Sequence, residues 1–341
     1  MTLSLRACRR KFAAPFGTVR RPPPAVSDPG HTFRDHTRRF AVAQGLVRAF
    51  YAFLLYLACL QLTELAGLTR QTLNLPLWPV AWLGPNGTAS AAGVRALFFF
   101  YVGSNALAAL LPGWRALRLL AFVGLLEYVA LKNSFGKISH SFHLPLLVAG
   151  VLVFLPTGWE RPAPRTDRRL RQAALLVFWA CQAAVLLTYT MSGLGKLGGA
   201  LYQLATLQPN AFGPGAFGAH IAQRLLQTHS QSDLGAWIIR HPLLTWPLMP
   251  GAIYLELFSF WIAFRPALGR AWAAVLIAFH FGTFFTMTIL FPQSCFLLAL
   301  LFFQSPFAPD RPPGPRALLA QVPLLGEALE LLTSRRGRNV E

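Results

Sequence analysis

Lys196 stands at the end of a long apolar run, in the segment Thr188–Leu197, and its position allows two kinds of role. A lysine at the edge of a membrane commonly extends its amine to the lipid headgroups and acts as an anchor. An amine held in an apolar pocket disfavours its charged form, and a neutral amine can act as a base or nucleophile. From position alone, anchoring and proton chemistry both stay open for Lys196.

A histidine pair, His140 and His143, has the spacing His-x-x-His near the start of an apolar segment. Two imidazoles at that spacing can share a metal ion, but a third ligand is not evident, so we expect no metal. A single neutral imidazole can orient a reacting group or form a hydrogen bond with it. His140 is therefore a candidate site residue in its own right.

Glu256 and His280 are ionisable residues inside apolar segments, in the sequences YLELF and AFHFG. Such residues are costly in a membrane, so each must face the bundle interior, pair with a partner or become neutral. They can hydrogen-bond each other or nearby hydroxyl groups and so hold helices together. They can equally support a binding site. Glu64 and Glu127 raise the same question.

The composition is that of a helical integral membrane protein. Hydrophobic residues make up 54% of the 341 residues and charged residues 13%. The apolar residues come in blocks of about 20, which is long enough for a helix to cross a bilayer. The net charge of +19 comes from basic residues that flank these blocks. That distribution argues against a nucleic-acid partner, since it forms no single basic patch.

The hydrophobic pattern predicts an all-α fold, a polytopic bundle of about eight transmembrane helices. Of the 31 Lys and Arg residues, 23 fall on the side of the two tails, seven on the other side, and Arg48 lies inside the first helix. The positive-inside rule then predicts a multi-pass cell-membrane protein with both termini in the cytoplasm. The predicted helices are 44–67, 93–111, 115–132, 140–156, 171–196, 245–264, 268–290 and 292–305.

Three regions follow from this assignment. Residues 1–40 form a basic tail that we expect to be disordered and cytoplasmic, residues 41–306 form the transmembrane domain, and residues 307–341 form a cytoplasmic tail with an amphipathic segment at 316–332. On the non-cytoplasmic side, the long segment 197–244 contains an amphipathic stretch from Ala216 to Leu226. We expect an interfacial helix there.

Three blocks of the sequence resemble segments of a known family. Tyr189–Leu197 (YTMSGLGKL) resembles a Tyr-x-x-x-Gly-x-x-Lys-Leu segment, and Asn133–Ser141 (NSFGKISHS) resembles a segment that bears an Asn-His pair. The stretch from Leu255 through His280 to Phe303 resembles a late Glu-Leu, His and Phe-rich block. On these blocks the chain resembles the horizontally transferred transmembrane (HTTM) family, whose best-characterised branch is the vitamin K-dependent gamma-carboxylase.

The resemblance implies a membrane core that handles a quinone-type lipid, a reduced vitamin K-like quinone, at the non-cytoplasmic face. It places the catalytic base at Lys196 and the histidine of the Asn-His pair at His140. Tyr189, Asn133, Glu256 and His280 would support the pocket. The implied reaction class is that of a vitamin K-dependent carboxylase or epoxidase, with membrane lipids and a secreted peptide or protein as partners.

Two other functions remain open. One is a non-enzymatic membrane accessory protein for the maturation or export of a secreted peptide, with segment 197–244 as its docking surface. The other is a small-molecule transporter, although the sequence shows no internal repeat of the kind on which many transporters are built.

Overall fold

A computed structural model of the chain describes residues 29–68, 77–83, 90–136, 138, 140–208, 212–309 and 313–326. Within these residues every regular element is helical and no strand occurs, which confirms the predicted all-α class. The longer helices are α1 Pro29–Leu60, α2 Ala91–Leu110, α3 Arg115–Asn133, α4 His143–Leu152, α5 Arg168–Ala205, α6 Ala216–Thr228, α7 Asp233–Arg240, α8 Leu248–Leu257, α9 Gly269–Met287 and α10 Pro292–Leu298.

Shorter helical segments connect or extend these elements. The 3₁₀ segments are Gln61–Glu64, Trp78–Leu83, His140–Phe142, Ala163–Arg165 and Ser259–Phe264. A π-helix, Ala299–Phe303, continues α10, and short α-helical turns lie at Leu65–Leu68, Pro242–Thr245 and Pro315–Leu319. Residues 1–28 and 327–341, which hold most of the predicted tails, lie outside the described residues.

Four helical stretches are long and apolar enough to cross a membrane: Thr37–Glu64, Ala91–Leu110, Arg168–Ala205 and Gly269–Met287. Two shorter apolar helices, His140–Leu152 and Pro292–Phe303, fall where the sequence predicts spans. The third predicted span is the helix α3, which carries four charged side chains, Arg115, Arg118, Glu127 and Lys132. Length and composition therefore support a membrane protein with four candidate spans.

Helix α5 is longer than predicted. The predicted segment 171–196 stops before Gly198 and Gly199, yet the helix continues through both glycines to Ala205. Beyond them Ala200 is buried, so packing offsets the cost of about 1 kcal/mol that each glycine adds to a helix. With 38 residues, α5 is about 57 Å long, which is nearly twice the thickness of a bilayer core.

The predicted helix 245–264 is in fact two segments. Helix α8 ends at Leu257, and a 3₁₀ segment begins at Ser259. The break is caused by a side chain of α5: Thr190 Oγ1 accepts a hydrogen bond from Phe260 N at 2.9 Å and donates to Leu257 O at 3.1 Å. Because the threonine replaces the partners that an unbroken helix would supply, the chain can turn there without unpaired backbone groups.

The bundle is organised around α5, which packs against α1, α4 and α8, while α2 packs against α1 and α3. The rings of Tyr101 and Tyr128 stack between α2 and α3 with centroids 4.4 Å apart. Arg118 of α3 is fully buried. Its guanidinium donates to the carbonyl oxygens of Leu152 and Leu155 at 3.1 and 2.6 Å. It therefore ties α3 to the end of α4.

Helices α6 and α7 form a hairpin that packs on α9. The predicted amphipathic stretch from Ala216 to Leu226 is helical as part of α6. The approach to α9 is close, because a Cβ on Gly235 would lie 2.5 Å from Thr286 O. Ser232 Oγ also donates a hydrogen bond to Phe285 O at 2.5 Å. The hairpin is thus held firmly at the C-terminal end of α9.

The described part of the C-terminal region is only briefly helical. The sequence predicts one amphipathic segment over 316–332, whereas the helix Pro315–Leu319 is followed by turns over 320–324 before helical residues resume at 325 and 326. Residues 327–332 lie outside the described residues. Pro323 lacks an amide donor and cannot continue a helix, and Leu324 has a left-handed φ of 62°. At the other end, α1 begins at Pro29, so the last part of the predicted tail 1–40 is helical.

Candidate functional site

The centre of the candidate site is an ion pair between α5 and α8. Lys196 Nζ lies 2.5 Å from both carboxylate oxygens of Glu256, and it also donates to Ser192 Oγ at 3.3 Å. The Glu256 side chain is only 4% exposed, whereas that of Lys196 is 36% exposed. The carboxylate is therefore enclosed by protein, while one side of the amine remains open to the surroundings.

The helical period explains how the segment Tyr189–Leu197 builds this pair. Positions 189, 193 and 196 follow the spacing i, i+4, i+7 and so lie on one face of α5. Tyr189 and Gly193 on that face are buried. At Gly193 a Cβ would lie 2.5 Å from Leu257 N and 2.9 Å from Leu257 Cα. Only glycine lets α8 approach closely enough for Glu256 to reach Lys196.

A second polar pair lies deeper on the same face. The hydroxyl of Tyr189 is 2.7 Å from His280 Nε2 on α9, and both side chains are buried. The rings of Phe279 and Phe291 flank the imidazole at 5.7 and 5.4 Å. Among the described residues, His280 Nδ1 has no hydrogen-bond partner. This pair joins α5 to α9 as the ion pair joins α5 to α8.

The two pairs lie on the same face of α5, since Tyr189 and Lys196 are seven positions apart, and each pair joins α5 to a neighbouring helix. Four residues singled out from the sequence, Lys196, Glu256, Tyr189 and His280, are thus brought together at one end of the bundle. The sequence allows Glu256 and His280 to hydrogen-bond each other. Among the described residues they do not; Glu256 pairs with Lys196 and His280 with Tyr189.

His220 on α6 is a neighbour of this group that the sequence does not single out. The side chain of His220 is exposed, yet partial desolvation by the surrounding protein lowers its pKa, and the positive charge of Lys196 lowers that pKa further. The imidazole is therefore neutral near pH 7. No motif marks this residue, because its relation to Lys196 arises only when α6 packs against α8 and α9.

His140 and Asn133, two further residues singled out from the sequence, lie on other elements than Lys196. His140 Nδ1 is 3.2 Å from His143 Nδ1, and the two rings meet edge to face with centroids 4.9 Å apart. Within the described residues, no hydrogen bond or ion pair joins His140 to Lys196. Asn133 ends α3. The His140–Phe142 segment does pack against α10, which in turn packs against α9.

The other acidic residues of the apolar segments have structural partners. Glu64 forms an ion pair with Lys132 at 2.6 Å, and Glu127 accepts a hydrogen bond from Trp82 Nε1 at 3.3 Å. In the part of the chain that the structure describes, no three His, Cys, Asp or Glu residues group as metal ligands. The Lys196–Glu256 pair places an amine against a buried carboxylate, an arrangement that can transfer a proton or bind a polar headgroup.

Comparison of this chain with protein-family models, with curated proteins and with solved structures finds no match.

Proposed function

We propose that this protein is an HTTM-like membrane protein that binds a quinone-type lipid at its non-cytoplasmic face and removes a proton from it. The observation that carries the proposal is the Lys196–Glu256 pair, in which a buried carboxylate holds a partly open amine. The resemblance of Tyr189–Leu197 to the HTTM segment supports the choice of ligand. The face that Tyr189, Gly193 and Lys196 share gives that spacing a physical reason.

The length of α5 supports a position for Lys196 at the non-cytoplasmic boundary of the membrane. Arg168 and Arg169 are exposed at its first turn, where they suit cytoplasmic headgroups, whereas Arg171 is buried there and donates to Ala163 O at 3.0 Å. Lys196 follows Arg171 by 25 positions, a rise of about 37 Å, which exceeds the bilayer core of about 30 Å. In a topology with eight membrane-embedded helical segments and cytoplasmic termini, Lys196 then lies at the opposite boundary. The α6 helix beside it would lie along that interface.

The pair can move a proton in two steps. A proton first shifts from the Lys196 ammonium to the Glu256 carboxylate, which leaves a neutral amine next to a neutral acid. The amine then accepts the proton of a quinol hydroxyl. The resulting phenolate lies beside the new ammonium, which stabilises it in a site that excludes most water. The buried carboxyl group thus serves as the acceptor that makes Lys196 available as a base.

The Tyr189–His280 pair would support this chemistry from its deeper position on the same face of α5. Its two aromatic neighbours, Phe279 and Phe291, suit an apolar ring. His140 enters the proposal through the resemblance, as the residue that would hydrogen-bond the developing oxyanion, and Asn133 enters it as a residue that would support the pocket. The reaction class that follows is that of a carboxylase or epoxidase of the vitamin K-dependent type.

Binding of a vitamin K-type quinone to purified protein in nanodiscs tests the proposal. We expect saturable binding by the wild type, weakened in Lys196→Ala. Lys132→Ala is a matched control, since it removes a lysine with a carboxylate partner outside the site. His140→Ala determines whether His140 shares the pocket. Absence of saturable binding by folded wild-type protein would overturn the quinone proposal.

A second candidate function rests on a different surface. On and next to the α6–α7 hairpin, Leu226, Leu243 and Leu244 are each more than two-thirds exposed. An accessory protein for a secreted peptide would use such a surface for docking. A photo-crosslinker at Leu243 in intact cells should capture the peptide, and the same group at the exposed Arg316 should not. Failure at both positions would remove this candidate.

A further inference from the structure

A cavity of about 110 Å³ lies on the other half of α5 from Lys196. It is bordered by α5, by the 3₁₀ segment Ser259–Phe264 and by residues at and after the π-helix Ala299–Phe303. Gln182, which lines the cavity, precedes Lys196 by 14 positions, a rise of about 21 Å along α5. The cavity is therefore separate from the Lys196–Glu256 pair.

Gln182 brings a fixed polar group to the cavity, and only 5% of this residue is exposed. Its Nε2 donates to Leu301 O at 2.5 Å and to Ser305 Oγ at 2.9 Å. These bonds fix the orientation of the side-chain amide, because the opposite orientation would bring Oε1 against the carbonyl oxygen of Leu301. Among the described residues, Oε1 accepts no hydrogen bond. One acceptor at the cavity thus lacks a donor.

The π-helix explains why Gln182 is bound there. In a continuing α-helix Leu301 O would accept a hydrogen bond from Ser305 N, but this amide bonds Phe302 O at 3.3 Å instead. Gln182 supplies the missing donor from α5 and so satisfies the carbonyl group at the end of the helix. Such π-helical segments are rare and often mark functional sites.

Ser305 brings a donor to the same point. Its Oγ accepts hydrogen bonds from Gln182 Nε2 and, at 3.2 Å, from Phe307 N, which occupies both lone pairs. Its hydroxyl hydrogen has no acceptor in the part of the chain that the structure describes. The cavity therefore presents one acceptor, Gln182 Oε1, beside one donor, Ser305 Oγ. A hydroxyl group, which can donate and accept at once, satisfies both.

The remaining walls of the cavity are largely apolar. Trp179, Ile262, Phe302 and Phe307 contribute to them, and the indole N–H of Trp179 is already bonded to Ala263 O at 2.9 Å. These side chains suit a hydrocarbon ring. An apolar cavity of about 150 Å³ can hold benzene, so a partly open space of about 110 Å³ holds most of one six-membered ring.

We propose that this cavity binds a small molecule that consists of an apolar ring with a hydroxyl group. The hydroxyl group donates to Gln182 Oε1 and accepts from Ser305 Oγ, while the ring packs against the aromatic side chains of the wall. Because this site shares no residue with the Lys196–Glu256 pair, the proposal stands or falls independently of the function proposed for Lys196.

Photolabelling with 4-azidophenol, a single ring with one hydroxyl group, tests the site in the whole chain in nanodiscs. Mass spectrometry maps the labelled residues and so distinguishes specific binding from partition into lipid. We expect saturable labelling at Trp179, Phe302 or Phe307. Phenol should protect these residues, whereas toluene, which has a methyl group in place of the hydroxyl group, should need about a tenfold higher concentration.

Two variants probe the donor and the space. Ser305→Ala removes the donor and should weaken protection by phenol several-fold without changing that by toluene; Ser230→Ala, which removes a hydroxyl group between α6 and α7, is its matched control. Should Ser305→Ala fail to fold, Gly269→Ala still tests the cavity. Its Cβ would lie 3.5 Å from Phe302 Cδ1, an ordinary contact, and should reduce labelling by narrowing the space. Gly251→Ala, whose Cβ meets no atom, is the control.

Three kinds of outcome would overturn the proposal. Labelling that does not saturate, or that misses the cavity, would mean that the space holds only water or lipid. Equal protection by phenol and toluene would mean that no hydroxyl group is recognised. Unchanged protection by phenol in Ser305→Ala would show that this serine is not the donor, and unchanged labelling in Gly269→Ala would show that the probe binds elsewhere.

Discussion

The unequal burial of Lys196 and Glu256 predicts that replacing Lys196 destabilises the protein more than replacing Glu256. Replacing Lys196 with Met leaves a carboxylate that is 4% exposed, with Ser192 Oγ at 3.3 Å as its remaining described partner. Removing one partner from a buried pair costs about 3–5 kcal/mol. Replacing Glu256 with Gln leaves an amine that is 36% exposed, can reach water and keeps its bond to Ser192. That loss should be about 1 kcal/mol, the range of exposed pairs.

Unfolding by SDS in mixed micelles, followed by circular dichroism, measures both losses. We expect Lys196→Met to be less stable than Glu256→Gln by about 2–4 kcal/mol, the difference between those two ranges. The double variant should recover most of the Lys196→Met loss, since no charge is then buried alone. Lys132→Met is the control, because its partner Glu64 is 44% exposed and should tolerate the change.

Two outcomes would refute this reasoning. Equal losses in the two single variants would mean that the carboxylate is not enclosed as the structure has it. A double variant whose loss equals the sum of the single losses would mean that the two side chains do not interact. Either outcome would also remove the proton acceptor from the proposed mechanism.

Four further predictions follow from individual contacts. Gly193→Ala forces a Cβ against the Leu257 backbone and should cost about 1–3 kcal/mol in the same unfolding assay, whereas Gly195→Ala, which meets open space, should cost nothing. Thr190→Val removes the side chain that bridges the break after α8 and should cost about 1–3 kcal/mol, more than Thr188→Val, since Thr188 only bonds its own helix at Ala184 O. Arg118→Ala leaves several buried carbonyl groups without a donor and should prevent stable folding. Arg115→Ala changes an exposed position and should be tolerated. Similar yields of the two purified variant proteins would contradict this prediction. His220 has a pKa below its usual 6.5 in the folded protein, so unfolding takes up protons and stability should fall as the pH drops through about 6.5. The variant His220→Gln should flatten this pH dependence between pH 7 and 5. An unchanged slope in that variant would count against the prediction.

The sequence by itself determined the class of the protein and most of its local structure. Long apolar blocks predict helices because only a helix satisfies its own backbone hydrogen bonds in lipid. Each predicted span coincides with helical residues in the described structure, although α5 extends to Ala205 and the segment 245–264 is divided. The shared face of Tyr189, Gly193 and Lys196 also follows from spacing alone, since a helix repeats every 3.6 residues.

Only the tertiary structure decided how those residues are used. Glu256 and Lys196 are 60 positions apart, and no local pattern predicts that the carboxylate of one helix reaches the amine of another. The break after Leu257 depends on a threonine of α5, and the relation of His220 to Lys196 depends on how α6 packs. Periodicity is a property of one helix, whereas these contacts arise from the packing of several helices. The sequence therefore identifies candidate residues, and the tertiary structure determines which of them contact each other.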